Sequence, residues 1–360
     1  MSASTFPCSH CGAELEYKPG TRSLKCPFCS GENEIPEIDE SVEEIDFHAM
    51  MAELESAQEH HDALVVHCES CGADCEMAPN TTSQACPFCS SNIVATAKSR
   101  KLLKPGSVLP FKVERAAARD KFRSWISSRW FAPSDLKRQA AVEGDAVYRN
   151  TTGLAGLYVP YWTFDANVTT SYTGQRGDNY TVTTGSGNNR RTQTRIRWRW
   201  ASGTVFNSFD DVLVPASHSL PVKRLEELGR WDLAQLVPYQ DAYLSGYRSE
   251  SYTVDLAQGF ATGREMMLEI VRQTIRADIG GDHQRIHTMN PKFRDVTFKH
   301  VLLPVWVSAY RYNGKAYRFL VNARTGEVAG DRPYSAWKIT FAVIAGLVAI
   351  GIIAMIVKNS

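Results

Sequence analysis

The feature that most constrains this chain is a four-cysteine pattern that occurs twice near its N-terminus. In each copy a Cys-x-x-Cys pair is followed after 14 residues by a second such pair, and the second copy begins 60 residues after the first. Each pair presents two thiolates from one short turn, and two turns complete a tetrahedral four-sulfur site for Zn²⁺. The predicted ligands are Cys8, Cys11, Cys26 and Cys29 for one ion and Cys68, Cys71, Cys86 and Cys89 for the other.

Each copy is too short to bury a useful apolar core, so the metal is expected to stabilise it. Because all four ligands are cysteine, no coordination position stays open, and both zinc ions are expected to be structural. A redox dithiol pair and an iron–sulfur site are the alternatives, and the repeated paired turns favour zinc. The ninth cysteine, Cys75, aligns with Leu15 of the first copy, which favours a buried apolar role over a reactive thiol.

The position of the cysteines also predicts a compartment. All nine fall within the first 89 residues, and no apolar run of the kind found in a signal peptide follows Met1. A disulfide framework would imply a secreted chain. The N-terminal part is therefore expected to stay in a reducing cytosol, with its thiols free to bind metal.

Charge is distributed very unevenly along the chain, although the total is only +1. Residues 26–97 contain 15 Asp and Glu and no Lys or Arg, whereas residues 98–360 carry a formal charge of +15. Nucleic-acid binding requires basic side chains that displace counterions from phosphates. We therefore expect the cysteine-rich units to contact proteins, and we expect nucleic acid not to be their partner.

The acidic segment between the two units has the pattern of an amphipathic helix. Ser41 followed by Glu43 and Glu44 resembles a capping box, and apolar residues follow at three- and four-residue steps from Phe47 to Leu64. Such a helix packs on its own chain or docks in the basic groove of a partner, and the first interpretation is favoured.

Residues 98–336 predict a mixed α+β body with long antiparallel hairpins. A helix is expected over residues 114–130, and a long helix is expected to begin after Asp255 and to end before Gly280. Asn313-Gly314 separates two apolar runs and predicts a tight hairpin turn.

Residues 169–204 predict a long hairpin with its tip at residues 185–189. From Arg195 to Trp200 the sequence alternates strictly between Arg and apolar residues. Interleaved Arg and Trp can bind single-stranded nucleic acid, a membrane surface or an acidic partner. The favoured interpretation is a half-buried strand with a solvated Arg face.

Motifs for catalysis are scarce. The chain has no phosphate-binding glycine loop, no His-Glu-x-x-His pair and no nucleophile elbow. Asp282, His283 and His287 follow the long predicted helix and form the one candidate metal site of the body. Ordinary helix-end histidines are the commoner explanation. The chain is therefore not expected to be an enzyme, and helicase or ATPase activity has no support.

The C-terminal segment predicts a membrane anchor. Ile339–Val357 contains 19 residues without a charge, and at helical rise it spans about 28 Å, close to the thickness of a bilayer core. Tyr334 and Trp337 stand where interfacial aromatic residues belong. We expect a single-pass tail anchor in the cell's inner membrane, with the N-terminal bulk in the cytoplasm. The basic body would then face an anionic lipid surface.

Five regions follow from these patterns. They are a first zinc ribbon, an acidic helical linker, a second zinc ribbon, a basic α+β body and a transmembrane tail, at residues 1–33, 34–66, 67–97, 98–336 and 337–358.

Several further segments carry a resemblance to known proteins, at residues 158–165, 210–216, 280–287, 303–306 and 317–322. With the two ribbons, they resemble a bacterial family of tail-anchored double zinc-ribbon membrane proteins, often labelled primosomal protein N-prime (replication factor Y)-like, superfamily II helicase or transcription factor IIB-type zinc ribbon proteins. A helicase needs a nucleotide-binding loop that this sequence lacks. Some related proteins are associated with phage-shock-type membrane-stress systems, and the resemblance implies such a context.

The sequence therefore predicts a membrane-anchored adaptor that recruits a cytosolic protein partner to the inner leaflet. A nucleic-acid-binding protein that uses the Arg195–Trp200 strand is the alternative. A metal-dependent enzyme that uses Asp282, His283 and His287 is the third interpretation.

Overall fold

The structure is a computed structural model, and it describes residues 6–38, 41–56, 65–67, 74–76, 81–85, 92–94, 103–141, 153–185 and 190–359. It is a mixed α+β protein with a large, mainly antiparallel sheet and an apolar C-terminal helix, as the sequence predicts. The described helices are α1 Phe47–Ser56, α2 Arg115–Ser128, α3 Ser134–Ala141, α4 Val222–Glu226, α5 Leu256–Ile279 and α6 Ala336–Asn359.

Short strands precede the body, which contains both short and very long strands. The N-terminal strands are β1 Glu16–Tyr17, β2 Ser23–Lys25, β3 Glu32–Glu34, β4 Ile45–Asp46, β5 Val65–His67, β6 Asp74–Glu76, β7 Thr81–Ala85 and β8 Asn92–Val94. Those of the body are β9 Ser107–Val108, β10 Ala155–Thr184, β11 Arg191–Pro215, β12 Val237–Pro238, β13 Arg248–Glu250, β14 His283–Tyr312, β15 Lys315–Asn322 and β16 Val328–Gly330.

Three very long strands form the axis of the molecule. β10 lies between β11 and β14 and pairs antiparallel with both. β10 and β14 each contain 30 residues, which corresponds to a length of about 100 Å at the usual rise of a strand. The short strands β4, β9, β13 and β15 add to these strands toward one end. The sheet is therefore broad at one end, and three strands continue beyond it.

Helix α5 covers one face of the three long strands. The Asp255 side chain accepts a hydrogen bond from the Gln258 N–H at 2.8 Å, and the helix ends at Gly280 with φ +66°, as predicted. A Cβ on Gly259 would lie 2.5 Å from Trp162 Cδ1, so glycine allows the first turns of the helix to approach the sheet closely. Trp162 Nε1 donates to the Val254 carbonyl at 2.9 Å and fixes the same contact.

Helix α2 covers the broad end of the sheet. Its buried residues Ala118, Phe122 and Ile126 recur at the four-residue step of one helix face, which confirms the helix predicted at residues 114–130. The Phe122 ring stacks on Phe319 of β15 with 3.8 Å between centroids. The turn at Asn313-Gly314, with φ values of +48° and +77°, joins β14 to β15 as predicted.

The acidic linker departs from its prediction at the helix start. Residues 41–44 are not helical, and the capping box at Ser41 is wrong, because Ile45–Asp46 pairs with β14 as a short strand. Asp46 caps α1 instead, since its side chain accepts from the Ala49 N–H at 2.7 Å. Phe47 packs on Phe260 of α5 with 4.4 Å between ring centroids. The described part of this helix therefore packs on its own chain, and residues 57–64 lie outside the described part.

Candidate metal centre

The first four-cysteine unit brings its predicted ligands together. The Sγ atoms of Cys8, Cys11, Cys26 and Cys29 all lie within 4.8 Å of one another. The Cys8–Cys29 and Cys11–Cys26 pairs each have Sγ atoms 3.5 Å apart. These residues form a compact four-sulfur cluster that can hold a metal ion.

Both Cys-x-x-Cys turns have the same backbone design. In the first turn the Gly12 N–H donates to the Cys8 carbonyl at 2.9 Å, and in the second the Ser30 N–H donates to the Cys26 carbonyl at 3.1 Å. Gly12 and Ser30 have φ values of +74° and +60°, so each turn reverses the chain through a left-handed residue. A Cβ on Gly31 would lie 3.4 Å from Cys29 Sγ, in contact with the cluster. The sulfur positions are thus fixed by backbone geometry.

Backbone N–H groups also prepare two of the thiols for metal binding. The Cys29 N–H lies 3.5 Å from Cys26 Sγ and lowers the pKa of Cys26 to about 6. The His10 N–H lowers the pKa of Cys8 in the same way. Backbone N–H groups act on Cys29 too, but the proton it shares with the other thiols raises its pKa to about 12. Four thiolates this close together require a cation that compensates their charge.

The unit is seated on the body rather than held apart from it. Leu15, Tyr17 and Leu24 are buried in one core cluster with Phe111 and Tyr243 of the body. The Tyr17 N–H donates to the Ser245 carbonyl at 3.0 Å, and Ser245 Oγ donates to the Leu15 carbonyl. A metal ion held by the four cysteines would therefore be coupled to packing of the core, because the two turns close the hairpin that supplies these side chains.

The second unit is described only through its strands. Its predicted ligands Cys68, Cys71, Cys86 and Cys89 lie outside the described residues, as does the side chain of Cys75, whose backbone belongs to β6. β8 begins 60 residues after β3, so the strand order follows the repeat of the sequence. β7 pairs with β13, and the buried Ser83 donates to the Tyr247 carbonyl at 2.7 Å. The hairpin of the second unit is thus joined to the main sheet.

The outer end of the three long strands displays the Arg–Trp alternation. Arg195, Arg197 and Arg199 are exposed, and Trp200, on the opposite face, has 77% of its surface exposed. The Arg face is solvated as expected, but the expectation of a half-buried strand is wrong, because α5 ends at Ile279 and no element among the described residues covers residues 191–200. The paired strands β10 and β11 confirm the predicted hairpin, whose tip at residues 186–189 lies outside the described part.

His283 and His287 lie on strand β14, and Asp282 directly precedes that strand. None of the three lies on a helix. Four strand residues span about 13 Å, so His283 and His287 are too far apart to share an ion. His283 Nε2 is hydrogen-bonded to Asn179 Oδ1 at 3.1 Å, and the Asp282 carboxylate accepts from the Asn179 N–H at 2.7 Å. The described residues therefore do not form a metal cluster at this place.

A second polar cluster escapes sequence reasoning. Glu44, Asp165 and Asp210 have carboxylate oxygens within 4.8 Å of one another. Lys299 Nζ lies 2.8 Å from Asp211 Oδ1 and 3.2 Å from Glu44 Oε1, so an ammonium already compensates this acidic group. These five residues come from four places far apart in the sequence, and the adjacent pair Asp210-Asp211 is the one local signal.

The C-terminal helix has the length and apolarity needed to cross a membrane. The window Ala336–Ile353 has a mean hydropathy of 2.1, and none of it is buried by the rest of the chain. Lys338 Nζ donates to the Ala132 carbonyl at 2.8 Å, and the Ser335 N–H donates to the Phe131 carbonyl at 2.8 Å. The start of α6 is therefore attached to the α2–α3 corner.

Comparison with known proteins finds a relative that aligns over nearly the whole chain. The chain is 24% identical over 365 residues to a protein of Bacillus subtilis (strain 168) described as uncharacterized protein YdjG. The alignment covers 95% of this chain and 94% of the relative. No family model matches the chain, and no solved structure matches it.

Proposed function

We propose that this chain is a membrane-anchored zinc-binding adaptor, without catalytic activity, that holds a cytosolic protein partner at the inner leaflet. The observation that carries the proposal is the presence of a four-thiol cluster and an unburied apolar helix on one continuous body. The cluster favours zinc, because Zn–S bonds of 2.3 Å in a tetrahedron place sulfurs about 3.8 Å apart, close to the 3.5 Å of the two sulfur pairs. Its four ligands leave no open position for chemistry.

The family assignment belongs to the same proposal. We place the chain with the tail-anchored double zinc-ribbon proteins of bacteria, on the spacing of its cysteines and its C-terminal helix, and we propose a role in membrane-stress response. The second zinc ion would be held by the cysteines of the second unit. The topology would leave the N-terminal mass in the cytoplasm, and the net charge of residues 98–360 would attract it to anionic lipid.

An exposed phenylalanine supports a protein partner for the first unit. Phe28 lies between the two cysteines of the second turn, and 82% of its surface is exposed. The same Cys-Pro-Phe-Cys sequence recurs 60 residues later with Phe88. A large apolar side chain held in solvent by a rigid turn is typical of a contact residue of an interface. Residues 26–97 contain 15 Asp and Glu and no Lys or Arg, which makes a basic partner surface the best match.

The proposal is tested with the full-length chain in cells. A photo-crosslinking residue at position 28 is expected to give a protein adduct in the membrane fraction, whereas the same residue at Val222, an exposed site away from the cysteines, gives none. Purified protein is expected to contain two zinc ions per chain. A chain that remains in the soluble fraction, or that contains no zinc, would contradict the proposal.

The exposed Arg–Trp strand supports the alternative function of nucleic-acid binding. Arg285 lies over the Trp198 ring at 4.0 Å from its centroid, and Arg197 lies over Tyr180 at 4.9 Å, so basic and aromatic groups share both faces at the outer end of the three long strands. Such surfaces bind single-stranded nucleic acid by stacking and by phosphate contacts. Retention of the full-length protein on single-stranded DNA at physiological salt would favour this function over the adaptor.

A further inference from the structure

A cavity of about 500 Å³ lies beside the start of α6. It is formed by the C-terminal end of α2, by α4 and by the segment that runs from β16 toward α6. It opens to solvent, and both charged and aromatic side chains line it. The charged and aromatic members are Trp125, Arg129, Lys223, Arg224, Glu227, Asp331, Arg332 and Tyr334.

Positive charge in this cavity exceeds negative charge. Arg224 forms ion pairs with both acidic residues of the lining, Glu227 and Asp331. No carboxylate among the described residues forms an ion pair with the three other cations. These are Arg129, Lys223 and Arg332. Uncompensated cations that converge on one cavity are the usual signature of an anion site.

Two of the arginines are held in place by aromatic rings. The guanidinium groups of Arg129 and Arg332 lie over the Trp125 ring at 5.2 and 5.9 Å from its centroid. Arg332 also lies over Tyr334 at 5.3 Å. The Nε atoms of both arginines are buried, and neither has a hydrogen-bond partner among the residues that the structure describes. A buried guanidinium N–H without an acceptor favours binding of an anionic oxygen.

The position of the cavity indicates where that oxygen comes from. Tyr334 precedes α6 by two residues, and three aromatic rings at the start of the helix are largely exposed. They are Trp130, Tyr334 and Trp337, with 70, 60 and 79% of their surface exposed. Tyr and Trp of an anchored protein concentrate at the level of the lipid headgroups. The cavity therefore opens at the depth of the lipid phosphates.

A second cleft next to α6 provides room for the apolar part of a lipid. Its volume is about 400 Å³, and it is lined by Trp130, Trp337 and Phe341, with Lys137 and Lys338 beside them. Trp130 directly follows Arg129 in sequence, and Trp337 follows Tyr334 by three residues. An acyl chain that lies along α6 in this cleft would keep its phosphate within reach of Arg129 and Arg332. Free phosphate would gain nothing from the apolar cleft.

We propose that the cavity formed by Trp125, Arg129, Lys223 and Arg332 binds the phosphate of an anionic phospholipid from the leaflet that α6 enters. The inference rests on the proposed membrane anchoring and adds a specific lipid site to it. The guanidinium groups contact the phosphate oxygens, and the anionic headgroup offsets the excess cationic charge. A zwitterionic lipid carries its own ammonium and is held less tightly. Lipid binding would fix the body relative to the bilayer.

The test measures lipid binding to the full-length protein in dodecyl maltoside by native mass spectrometry. Phosphatidylglycerol is expected to bind at least tenfold more tightly than phosphatidylcholine with the same acyl chains. The double variant Arg129→Gln/Arg332→Gln is expected to lose this preference. Lys223→Gln, which changes an exposed side chain and leaves the core intact, is expected to weaken phosphatidylglycerol binding about threefold. The charge-matched control Arg195→Gln/Arg197→Gln at the outer end of the sheet is expected to bind like the wild type.

Each outcome decides a different point. Equal binding of the two lipids, or an unchanged preference in both cavity variants, would overturn the lipid site. Inorganic phosphate that competes at the concentration of the lipid would show that the ligand is free phosphate and not a phospholipid. Membrane fractionation of the same variants separates this inference from the anchoring. A soluble chain contradicts the anchoring, whereas a membrane-bound chain that does not distinguish the headgroups contradicts the cavity alone.

Discussion

The inner and outer parts of strand β10 differ in what covers them. Residues 156–166 are buried without interruption between α5, the first four-cysteine unit and the short strands of the sheet, whereas between residues 176 and 184 only Gly177 is buried. Both parts have the same antiparallel neighbours, β11 and β14. Pairing with neighbouring strands therefore does not by itself bury a strand. Burial depends on the layers that pack on the two faces of the sheet. We call residues 155–166 and their surroundings the inner sheet, and the part beyond them the outer sheet.

The transition between the two parts is marked by irregular pairing. The register with β11 shifts between Phe164 and Ala166, and the register with β14 shifts between Asp165 and Asn167. A bulge re-aims the side chains of a strand and increases its twist. Asp165 occupies this position and turns toward Lys299 of β14 and Glu44 of the linker. The polar cluster thus joins the linker to the sheet where the covering layers change.

The largest expected effect is disruption of the four-sulfur cluster, whose unit packs on the core of the body. Cys26→Ser is expected to lower the free energy of unfolding by about 5 kcal/mol or more, because the unit then loses its ion and the packing of Tyr17 on Tyr243. Denaturant unfolding together with zinc analysis measures both quantities. Cys75→Ala is the control, and it is expected to retain two zinc ions. A Cys26→Ser variant as stable as the wild type would show that the unit does not support the core.

A matched pair of tryptophans tests the comparison directly. Trp162 of β10 is fully buried and Trp200 of β11 is largely exposed, although both belong to the long strands. Trp162→Ala is expected to cost about 3–5 kcal/mol of unfolding free energy, since it leaves a cavity and an unpaired Val254 carbonyl. Trp200→Ala is expected to change it by less than about 0.5 kcal/mol. Equal losses in thermal unfolding would show that the outer sheet is covered in the native protein.

The bulge between the two parts is expected to respond to pH. Burial raises the pKa of Asp165 to about 6, against the Asp211 N–H and the Lys299 ammonium, and Glu44 adds to the rise. The folded protein therefore binds this proton more tightly than the unfolded chain. The contribution of protonated Asp165 to the unfolding free energy is fully present below about pH 4 and is lost as the pH rises to about 6 and above.

Asp165→Asn removes this titration while it keeps an acceptor for the Asp211 N–H. Relative to the wild type, the unfolding free energy of the variant is expected to rise by roughly 2 kcal/mol between pH 4 and pH 7. Chemical denaturation at a series of pH values measures the difference. If the unfolding free energies of the variant and the wild type changed with pH in the same way, the assignment of the raised pKa to Asp165 would be contradicted.

The smallest expected effect concerns the arginines of the outer sheet. Replacing Arg195, Arg197 and Arg199 with Gln is expected to change the unfolding free energy by less than about 0.5 kcal/mol, because all three are exposed. If the outer sheet binds nucleic acid, the triple variant also reduces the dependence of log affinity on log salt by about 2. Gel-shift titrations at several salt concentrations measure this slope. A large decrease in the unfolding free energy would show that the three arginines make contacts that stabilise the fold and are not simply exposed to solvent.

Much of the local structure could be predicted because its causes are local. The spacing of Cys8, Cys11, Cys26 and Cys29 fixes two turns that meet in one cluster, and Gly12 follows the first turn where a left-handed residue is needed. Asp255 caps the start of α5, and Asn313-Gly314 forms the turn between β14 and β15, for equally local reasons. For the start of the helix in the acidic linker, the local prediction was wrong. Ser41 has the residues of a cap, but pairing of Ile45–Asp46 with β14 moves the start of the helix to Phe47.

The sequence by itself determined the four-sulfur cluster, the apolar helix and the alternation of the long strands, because each depends on spacing within a few tens of residues. Only the tertiary structure decided which part of a strand is covered, and which distant charges meet. Arg129, Lys223 and Arg332 share a cavity because α2, α4 and the end of the sheet pack together beside α6. No periodicity encodes that meeting, since the free energy of packing depends on surfaces that are remote in the chain.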